Sequence, residues 1–390
     1  MWVAADLQPS LWYIFETIRR LIKSMSATAL ALQDFARYDD ATCDARIRAA
    51  KEALGSRCAI LGHHYQRDEV FAHADFSGDS LKLSAQAAQS DAEYIVFCGV
   101  HFMAEVADIL SRDDQTVILP DMAAGCSMAD MANLRNVERA WRELATVLEP
   151  EETITPVTYI NSAADLKAFC GRHGGIVCTS SNARGVLDWS FSRREKVLFF
   201  PDQHLGRNTA YDMGIALDEM VVWDYDKPMG GLSADEIRGA KMILWKGFCS
   251  VHQMFHPNHI KKFREAHPNG RVISHPENAF EVCQASDVVG STETILKTVR
   301  ASEPGSHWLV GTELNLVNRL HHEMAEKGVK VQFMSPVVCM CSTMFRTDPQ
   351  HLAWVMENLA EGHVVNQIKV DADEAREAKA ALDLMLEITA

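Results

Sequence analysis

The sequence has no apolar run long enough to cross a membrane. Its longest apolar segments, at 94–98 and 197–201, have the length of buried strands, whereas a spanning helix needs about 18 to 20 residues. An N-terminal apolar core followed by a small-residue cleavage site is also missing, so a secretory signal is not expected. We therefore predict a soluble, cytoplasmic protein with no membrane partner.

Positive charge is scarce. The 390 residues include 38 Lys and Arg against 53 Asp and Glu, which gives a formal net charge of −15. Binding to a phosphate backbone needs clustered Lys and Arg, so a nucleic-acid partner is not expected. No Gly-x-Gly-x-x-Gly loop follows a predicted strand, and no Walker-type loop is present. These absences argue against nucleotide chemistry but not against small anionic substrates.

Ten cysteines occur without a secretory signal, which predicts a reducing compartment. In that setting cysteines are buried residues, metal ligands or nucleophiles. Six lie within helical or strand patterns and are expected in the core: Cys43, Cys58, Cys98, Cys170, Cys178 and Cys283. Cys126, Cys249 and Cys341 are different, because each follows an apolar strand and precedes a serine.

Short apolar strands alternate with helical patterns, which predicts an α/β fold with parallel sheets. Three blocks repeat one order: a strand ending in polar residues, a strand ending in small residues, and a strand leading into a Cys-Ser pair. The first strands are at 58–66, 154–162 and 271–278, and the second at 94–101, 175–182 and 287–293. The order predicts internal triplication. The alternative is one long doubly wound sheet whose crossovers resemble each other by composition.

The repeat predicts where the domains begin and end. We expect an N-terminal extension at 1–45 and three α/β repeats at 46–130, 131–250 and 251–346. Residues 208–240 interrupt the second repeat with glycines, a proline and many acids, so they are interpreted as an inserted loop. Helices within 347–390 are expected to pack back on the first repeat. Ligands of parallel sheets bind beyond the carboxyl ends of the strands, so three domains around a shared centre place all strand ends at one cavity.

Polar residues follow the first strand of each block, where a buried face demands apolar ones. They are His63 and Tyr65, Tyr159 and Asn161, and His275 and Glu277. Such groups bind carboxylates or transfer protons. Glu277 stands near a predicted helix start, whose macrodipole is expected to hold the carboxylate ionised so that it can serve as a general base.

Three hydroxyl residues stand at predicted helix starts: Ser80, Ser180 and Thr292. N-capping explains each of them, because Ser and Thr are preferred at that place. Hydroxyls and free N–H groups at a helix start also bind phosphate or carboxylate oxygens. The residues themselves leave both roles open.

The three cysteines outside the core patterns are candidate metal ligands. Three thiolates can hold an iron–sulfur cluster with its fourth iron open, or bind zinc with a fourth ligand such as His252. The spacing does not choose between them. A zinc-dependent hydrolase or lyase and a non-enzymatic iron–sulfur sensor therefore stand as alternatives.

Taken together, the motifs resemble the quinolinate synthase family. The matching segments follow the family's order over about residues 50 to 390: 63–66, 74–81, 96–105, 120–130, 159–162, 178–182, 201–206, 245–252, 275–277 and 290–292. The resemblance implies a triangular, pseudo-threefold arrangement of three similar α/β domains around a central active site with a [4Fe–4S] cluster.

The implied activity is that of a transferase. It condenses iminoaspartate with dihydroxyacetone phosphate to give quinolinate, phosphate and water in de novo NAD biosynthesis. The open iron is expected to act as a Lewis acid. The implied partners are these two substrates and, by functional coupling, the enzyme that produces iminoaspartate.

The family's site residues carry over one by one. The resemblance implies Cys126, Cys249 and Cys341 as cluster ligands, and Tyr65 and Glu277 as proton-transfer residues. The implied substrate-binding residues are His63, Ser80, Tyr159, Asn161, Ser180, His275, Glu277 and Thr292. The third ligand of the family stands in a Cys-x-x-Met context, which Cys341 matches and Cys339 does not. Some members have a Cys-x-x-Cys-x-x-Cys run there, which this chain lacks.

Overall fold

The computed structural model describes residues 28–338 and 340–389, which form two compact units. The first contains the chain up to Gly55 together with Pro349–Val365. The second contains Ser56–Asp348 and Asn366–Ala390. The first 27 residues of the predicted extension, and Cys339, lie outside the described residues.

The first unit is helical. Its helices are Leu32–Phe35, Asp40–Leu54 and Pro349–Ala360. The second of these begins where the Asp39 carboxylate accepts a hydrogen bond from the Thr42 N–H at 2.8 Å, an N-cap of the usual kind. It packs on Pro349–Ala360, and Arg46 forms an ion pair with Glu357 at 2.6 Å. Where it is described, the predicted extension is thus structured.

The second unit is built from fourteen strands in the described part of the chain. They are β1 (Cys58–His63), β2 (Phe76–Gly78), β3 (Tyr94–Cys98), β4 (Thr116–Ile118), β5 (Ile154–Tyr159), β6 (Ile176–Cys178), β7 (Lys196–Phe200), β8 (Met220–Trp223), β9 (Met242–Trp245), β10 (Arg271–Ser274), β11 (Val288–Val289), β12 (His307–Gly311), β13 (Lys330–Phe333) and β14 (Gln367–Ile368).

Helices connect these strands. They are Asp68–Phe71, Ser80–Gln89, His101–Leu110, Leu134–Leu144, Pro150–Thr153, Ala164–Arg172, Ala183–Arg193, Gln203–Asp212, Ala234–Gly239, Pro257–Ala266, Phe280–Ala285, Thr292–Arg300, Leu314–Ala325 and Ala372–Thr389. Within the described residues, no helix combines the length and the apolar character needed to cross a membrane.

The strands form three sheets in which four strands share one order. The sheets read β14-β4-β3-β1-β2, β6-β5-β7-β9-β8 and β11-β10-β12-β13. When the edge strands β14 and β8 are left out and the others are counted along the chain within each sheet, the shared order is second, first, third, fourth. All pairs are parallel except β14 with β4. The predicted α/β fold with parallel sheets is confirmed.

One part of the predicted repeat was matched to the wrong strands. The sequence pattern equated β3 with β6 and β11, because all three precede small residues and a helix. In the sheets, β3 takes the third place, as β7 and β12 do, whereas β6 and β11 correspond to β2. Small residues follow both kinds of strand, so composition alone could not tell them apart.

The predicted insertion at 208–240, a loop or lobe by its composition, contains regular secondary structure. It contains the end of one helix, the edge strand β8 and the helix Ala234–Gly239. β8 pairs with β9 in parallel, from Met220 opposite Met242 to Trp223 opposite Trp245. The insertion therefore adds a fifth strand to the second sheet. Its glycines and acids mark turns between short elements, which the composition did not separate from a continuous loop.

The C-terminal segment of the second unit contacts two sheets. Strand β14 pairs with β4 of the first sheet, as the predicted packing on the first repeat requires. The helix Ala372–Thr389 instead packs mainly on the helix Ala164–Arg172 and on β6, which belong to the second sheet. Its buried residues Leu382 and Met385 join the core of that sheet.

The connection from β9 to Cys249 depends on a close backbone approach at Gly247. A Cβ atom at this position would lie 2.2 Å from the carbonyl oxygen of Pro201. Gly247 also bridges Asp202, and its carbonyl accepts a hydrogen bond from the Gln203 N–H at 3.0 Å. At Gly125, which precedes Cys126, an added Cβ meets no atom within 4 Å.

We predict that Gly247→Ala lowers the free energy of unfolding by about 1–3 kcal/mol, because backbone atoms must move to admit the methyl group. Gly125→Ala, the control, should change it by no more than about 0.5 kcal/mol. Denaturant unfolding of both variants measures the difference. Equal stability of the two variants contradicts the close approach.

Candidate active site

Strand ends from all three sheets meet at one cavity. Every site residue predicted from the sequence lines it. They are His63, Tyr65, Ser80, Cys126, Tyr159, Asn161, Ser180, Cys249, His275, Glu277, Thr292 and Cys341. These residues are up to about 280 positions apart in the chain. Their meeting follows from parallel strands, which present their carboxyl ends at one edge of each sheet.

Cys126, Cys249 and Cys341 begin the same local structure. The carbonyl oxygen of each accepts a hydrogen bond from the N–H four residues later, at 3.0, 3.1 and 3.0 Å. A 3₁₀ helix starts three residues after each cysteine, at Ala129–Met131, His252–Met254 and Met344–Arg346. Each turn follows the fourth strand of its sheet. The three cysteines are therefore structurally equivalent.

The turns direct backbone donors at the sulfur atoms. The N–H groups of Ala129, His252 and Met344, each three residues after its cysteine, hydrogen-bond to the sulfur. Burial nevertheless raises the pKa of all three thiols, that of Cys126 to about 12. Three free, partly buried thiols with N–H donors at their sulfurs fit a thiolate-bound metal centre. Binding a metal there must release protons.

The six cysteines predicted to be core residues are all buried. They contribute no thiol to the lining of the cavity. The distinction drawn from strand and helix patterns is thus confirmed for the described cysteines. Cys339, which the sequence set aside as a ligand, lies outside the described residues.

Glu277 is a buried carboxylate with polar neighbours from two sheets. The Tyr159 hydroxyl donates to its Oε1 at 2.7 Å, and Nδ1 of His252 lies 3.1 Å from Oε2. Nδ1 of His275 lies 3.7 Å from Oε1. The side chain of His252 stacks on that of His275 with ring centroids 5.0 Å apart. The carboxylate is thus held in place on both oxygens.

The charge of Glu277 is stabilised by these partners. Burial by itself raises the pKa of the carboxyl, but His252, His275 and the Tyr159 hydroxyl outweigh it and lower the pKa to about 2. The predicted macrodipole is not the cause, because the next helix begins only at Phe280 and is six residues long. The expected ionisation is right, and its expected reason is wrong.

Tyr65 is a half-buried phenol held by two threonines. Its hydroxyl lies 2.8 Å from the Thr312 Oγ1 and 3.3 Å from the Thr292 Oγ1. Burial, and then the negative charge of Glu277, raise the pKa of Tyr65 above its ordinary value. Tyr65 is therefore protonated at neutral pH and can donate a proton. Tyr159 has a raised pKa for the same two reasons, burial first.

His63 and His275 have the same hydrogen-bonding pattern. The N–H two residues later, of Tyr65 and of Glu277, donates to the ring Nδ1 at 3.1 and 3.3 Å. Burial lowers the pKa of His63 to about 3 and that of His275 to about 4, so both rings are neutral. A neutral ring whose Nδ1 accepts has its proton on Nε2. Each histidine thus offers one Nε2–H donor to a ligand.

The hydroxyl residues are not the helix caps that the alternative reading expected. Asp79, Asn182 and Ser291 precede the three helices, and the first and last of them accept N–H groups there. Ser80 and Thr292 are the first helical residues and Ser180 lies in the preceding turn. Their side chains line the cavity instead.

The sequence analysis missed Glu313. It follows β12, is 1% exposed, and lines the cavity. Its carboxylate accepts the N–H groups of Asn315 and Cys341 at 2.7 and 3.4 Å, and burial raises its pKa to about 7. Glu313 is a polar residue shortly after a strand, which is the signal that identified His63 and His275. It follows a third strand, whereas the predicted pattern has polar residues after the first strand of each block. His252 was considered only as a zinc ligand, and it is also a neighbour of Glu277.

A metal ion has a second set of donors nearby. Sγ of Cys249, a ring nitrogen of His252 and a carboxylate oxygen of Glu277 lie within 4.8 Å of one another. These donors share Cys249 with the three-thiol set. Both arrangements place a metal at the same wall of the cavity.

The chain matches known proteins along nearly its whole length. A family model described as quinolinate synthetase A protein matches residues 45–387. A protein of Acidobacterium capsulatum named quinolinate synthase is 54% identical over 360 residues, which cover 92% of this chain and 96% of the relative. One from Rhodopirellula baltica is 53% identical, covering 92% and 93%, and one from Herpetosiphon aurantiacus 54%, covering 91% and 95%. Both have the same name.

The family's N-terminal boundary at residue 45 lies within the helix Asp40–Leu54, so the match covers almost all of the described chain. It includes the three equivalent cysteines and all residues predicted to line the cavity. This protein belongs to the quinolinate synthetase A family.

Proposed function

We propose that the chain condenses iminoaspartate with dihydroxyacetone phosphate to quinolinate, phosphate and water, in the cavity where the three sheets meet. It is an enzyme, and quinolinate synthase is the activity that places it in NAD biosynthesis. The observation that supports the site is the convergence of three equivalent cysteine turns with the ionised Glu277 and the protonated Tyr65.

The architecture we propose is three similar α/β domains around a pseudo-threefold axis. The shared strand order of the three sheets supports it, as do the equivalent turns at the cysteines. His63 and His275 lie at the end of the first strand of their sheets and form matching Nδ1 hydrogen bonds. This match also supports the threefold arrangement. The domain limits predicted from the sequence, 46–130, 131–250 and 251–346, stay as proposals.

The proposed cofactor is a [4Fe–4S] cluster held by Cys126, Cys249 and Cys341. Three thiolate ligands leave one iron free, and that iron supplies a Lewis acid for a substrate oxygen. The N–H groups directed at the three sulfurs favour the thiolate form that a cluster needs. Glu313, which accepts the Cys341 N–H, orients the third ligand turn.

The proton chemistry is assigned to side chains of two sheets. Glu277 is ionised, so one of its oxygens can accept a proton from a substrate carbon. Tyr65 is protonated, so its hydroxyl can give a proton to a leaving hydroxyl group. The Thr292 and Thr312 hydroxyls fix the Tyr65 oxygen in place. Burial of Glu277 keeps water from competing for the proton that it accepts.

Substrate oxygens are assigned to neutral donors. The Nε2–H groups of His63 and His275 and the amide of Asn161 are proposed to bind the dicarboxylate end. The hydroxyls of Ser80, Ser180 and Thr292 bind further oxygens near the helix starts. Because an α-imino acid hydrolyses in water, we also propose functional coupling to the enzyme that produces iminoaspartate.

Metal analysis of anaerobically purified protein tests the cofactor. We expect about four iron and four sulfide per chain, as a cubane cluster requires, with quinolinate formation in the same sample. Cys341→Ser should lose the cluster, and the matched control Cys339→Ser should keep it. Zinc without sulfide refutes the cluster and favours the site formed by Cys249, His252 and Glu277. Loss of the cluster only in Cys339→Ser moves the third ligand.

Glu277→Gln tests the general base. The amide keeps the size of the side chain but cannot accept the proton, so turnover should fall by at least about 100-fold while iron and sulfide stay unchanged. Glu281→Gln, which changes an exposed acid four residues later, is the control and should keep normal turnover. Full activity of Glu277→Gln rules out Glu277 as the base.

Tyr159→Phe tests the origin of the low Glu277 pKa. Loss of the 2.7 Å hydrogen bond to the ionised carboxylate destabilises the charged form, so the pKa must rise from about 2. Because the base works only when deprotonated, the acidic limb of kcat/KM should move up by about one to two pH units. Tyr211→Phe, at a surface tyrosine, should leave that limb in place. An unmoved limb in Tyr159→Phe contradicts the assignment.

A further inference from the structure

The helix after the third strand of each sheet contacts a loop of another sheet. These helices are His101–Leu110 after β3, Gln203–Asp212 after β7 and Leu314–Ala325 after β12. In each case the contacted loop follows the first strand of its sheet. The contacts run from the first sheet to the second, from the second to the third, and from the third to the first.

Asn208 makes the contact from the second sheet to the third. Its Nδ2 donates to the carbonyl oxygens of Pro276 and Asn278, both at 2.8 Å. These two residues flank Glu277, so one buried amide fixes the backbone on both sides of the proposed base. Asn278 completes the turn, since its own Nδ2 donates to the carbonyls of His275 and Gly311 at 2.7 and 2.9 Å.

Arg319 makes the contact from the third sheet to the first. Its guanidinium donates to the carbonyl oxygen of Gln66 at 2.7 Å and to that of His64, so it holds the residues on both sides of Tyr65. Asn315, one turn earlier, donates to the carbonyl of Tyr65 itself at 3.2 Å. Arg319 also forms an ion pair with Asp68 at 2.6 Å.

The third contact is simpler. The Glu105 carboxylate accepts the N–H of Ala164 at 3.1 Å. Ala164 begins the helix after β5, and the loop between them follows Tyr159, the last residue of β5, and contains Asn161. Each contact therefore uses a polar side chain of one sheet to fix main-chain atoms beside proposed site residues of the next.

We infer that Asn208 and Arg319 are positioning residues, which place the reactive atoms of Glu277 and Tyr65 by holding the backbone on both sides of each. This inference rests on the proposed function, because Glu277 and Tyr65 are the groups it assigns to proton transfer. Neither Asn208 nor Arg319 lines the active-site cavity. Both side chains bond to the main chain of another sheet. The contacts that join the sheets therefore also position Glu277 and Tyr65.

Asn208→Asp is the first test, because it replaces the donor amide by an isosteric acceptor that repels both carbonyls. Misplacement of a catalytic group by about 1 Å costs about 100-fold in rate, so kcat should fall about 100-fold while KM changes little. Asn208→Ala is the second variant, in case the acid prevents folding. Arg319→Met should have the same effect through Tyr65, and Arg319→Lys should restore part of the rate.

Matched controls separate positioning from stability. Asn358→Asp removes a buried amide of the first unit that also donates to two backbone carbonyls, those of Leu30 and Trp354. Asp68→Asn removes the ion pair of Arg319 and leaves its backbone contacts. Both should keep kcat within about twofold, measured per cluster in anaerobic holoenzyme. A loss in Asn358→Asp equal to that in Asn208→Asp overturns the inference, as does a normal kcat in Asn208→Asp and Asn208→Ala.

A crystal structure of Asn208→Asp decides the matter without activity. We expect the 276–278 turn to move and the distance between the Tyr159 hydroxyl and the Glu277 Oε1, 2.7 Å in this protein, to exceed hydrogen-bonding range. An unmoved turn overturns the inference. Absence of quinolinate formation by the unsubstituted enzyme refutes the proposed function instead, and the crystallographic result still stands.

Discussion

The arrangement of the site depends on the buried negative charge of Glu277. Glu277 lies in the interior at the meeting of the sheets, and an isolated carboxylate there would take up a proton. It stays ionised because the Tyr159 hydroxyl from the second sheet and His252 and His275 approach both of its oxygens. The charge of Glu277 therefore depends on contacts that only the folded protein makes.

The placement of the cysteines depends on the local turn at each cysteine and on the packing of the three sheets. Each turn takes its shape from a hydrogen bond over four residues and a 3₁₀ helix three residues after the cysteine. In each turn, the N–H three residues after the cysteine acts to lower the pKa of the thiol. Only the convergence of Cys126, Cys249 and Cys341 on one cavity needs the three sheets. Local geometry thus prepares the ligands, and the fold brings them together.

Sequence patterns predicted much of the site because its residues interrupt apolar patterns at strand ends. His63 is the last residue of β1, and His275 and the three cysteines stand where a buried strand has finished and a helix has not begun. Glu313 also lies between a strand and a helix, after β12. The sequence pattern did not indicate it, because the predicted polar positions follow only the first strand of each block. The match of β3 to β6 and β11 was wrong because small residues follow strands at both the second and the third place along the chain. Amino-acid composition does not indicate which strands pair.

The sequence by itself determined the strand and helix periods, the residue types at strand ends and the division of the described cysteines into core and cavity. These follow from local burial and local hydrogen bonding, which near neighbours in the chain decide. The strand order, the edge strand β8, the charge state of Glu277 and the contacts of Asn208 and Arg319 were decided only by the tertiary structure. Each depends on atoms from segments 60 or more residues apart or on hydrogen-bond pairing between strands, which no local pattern records.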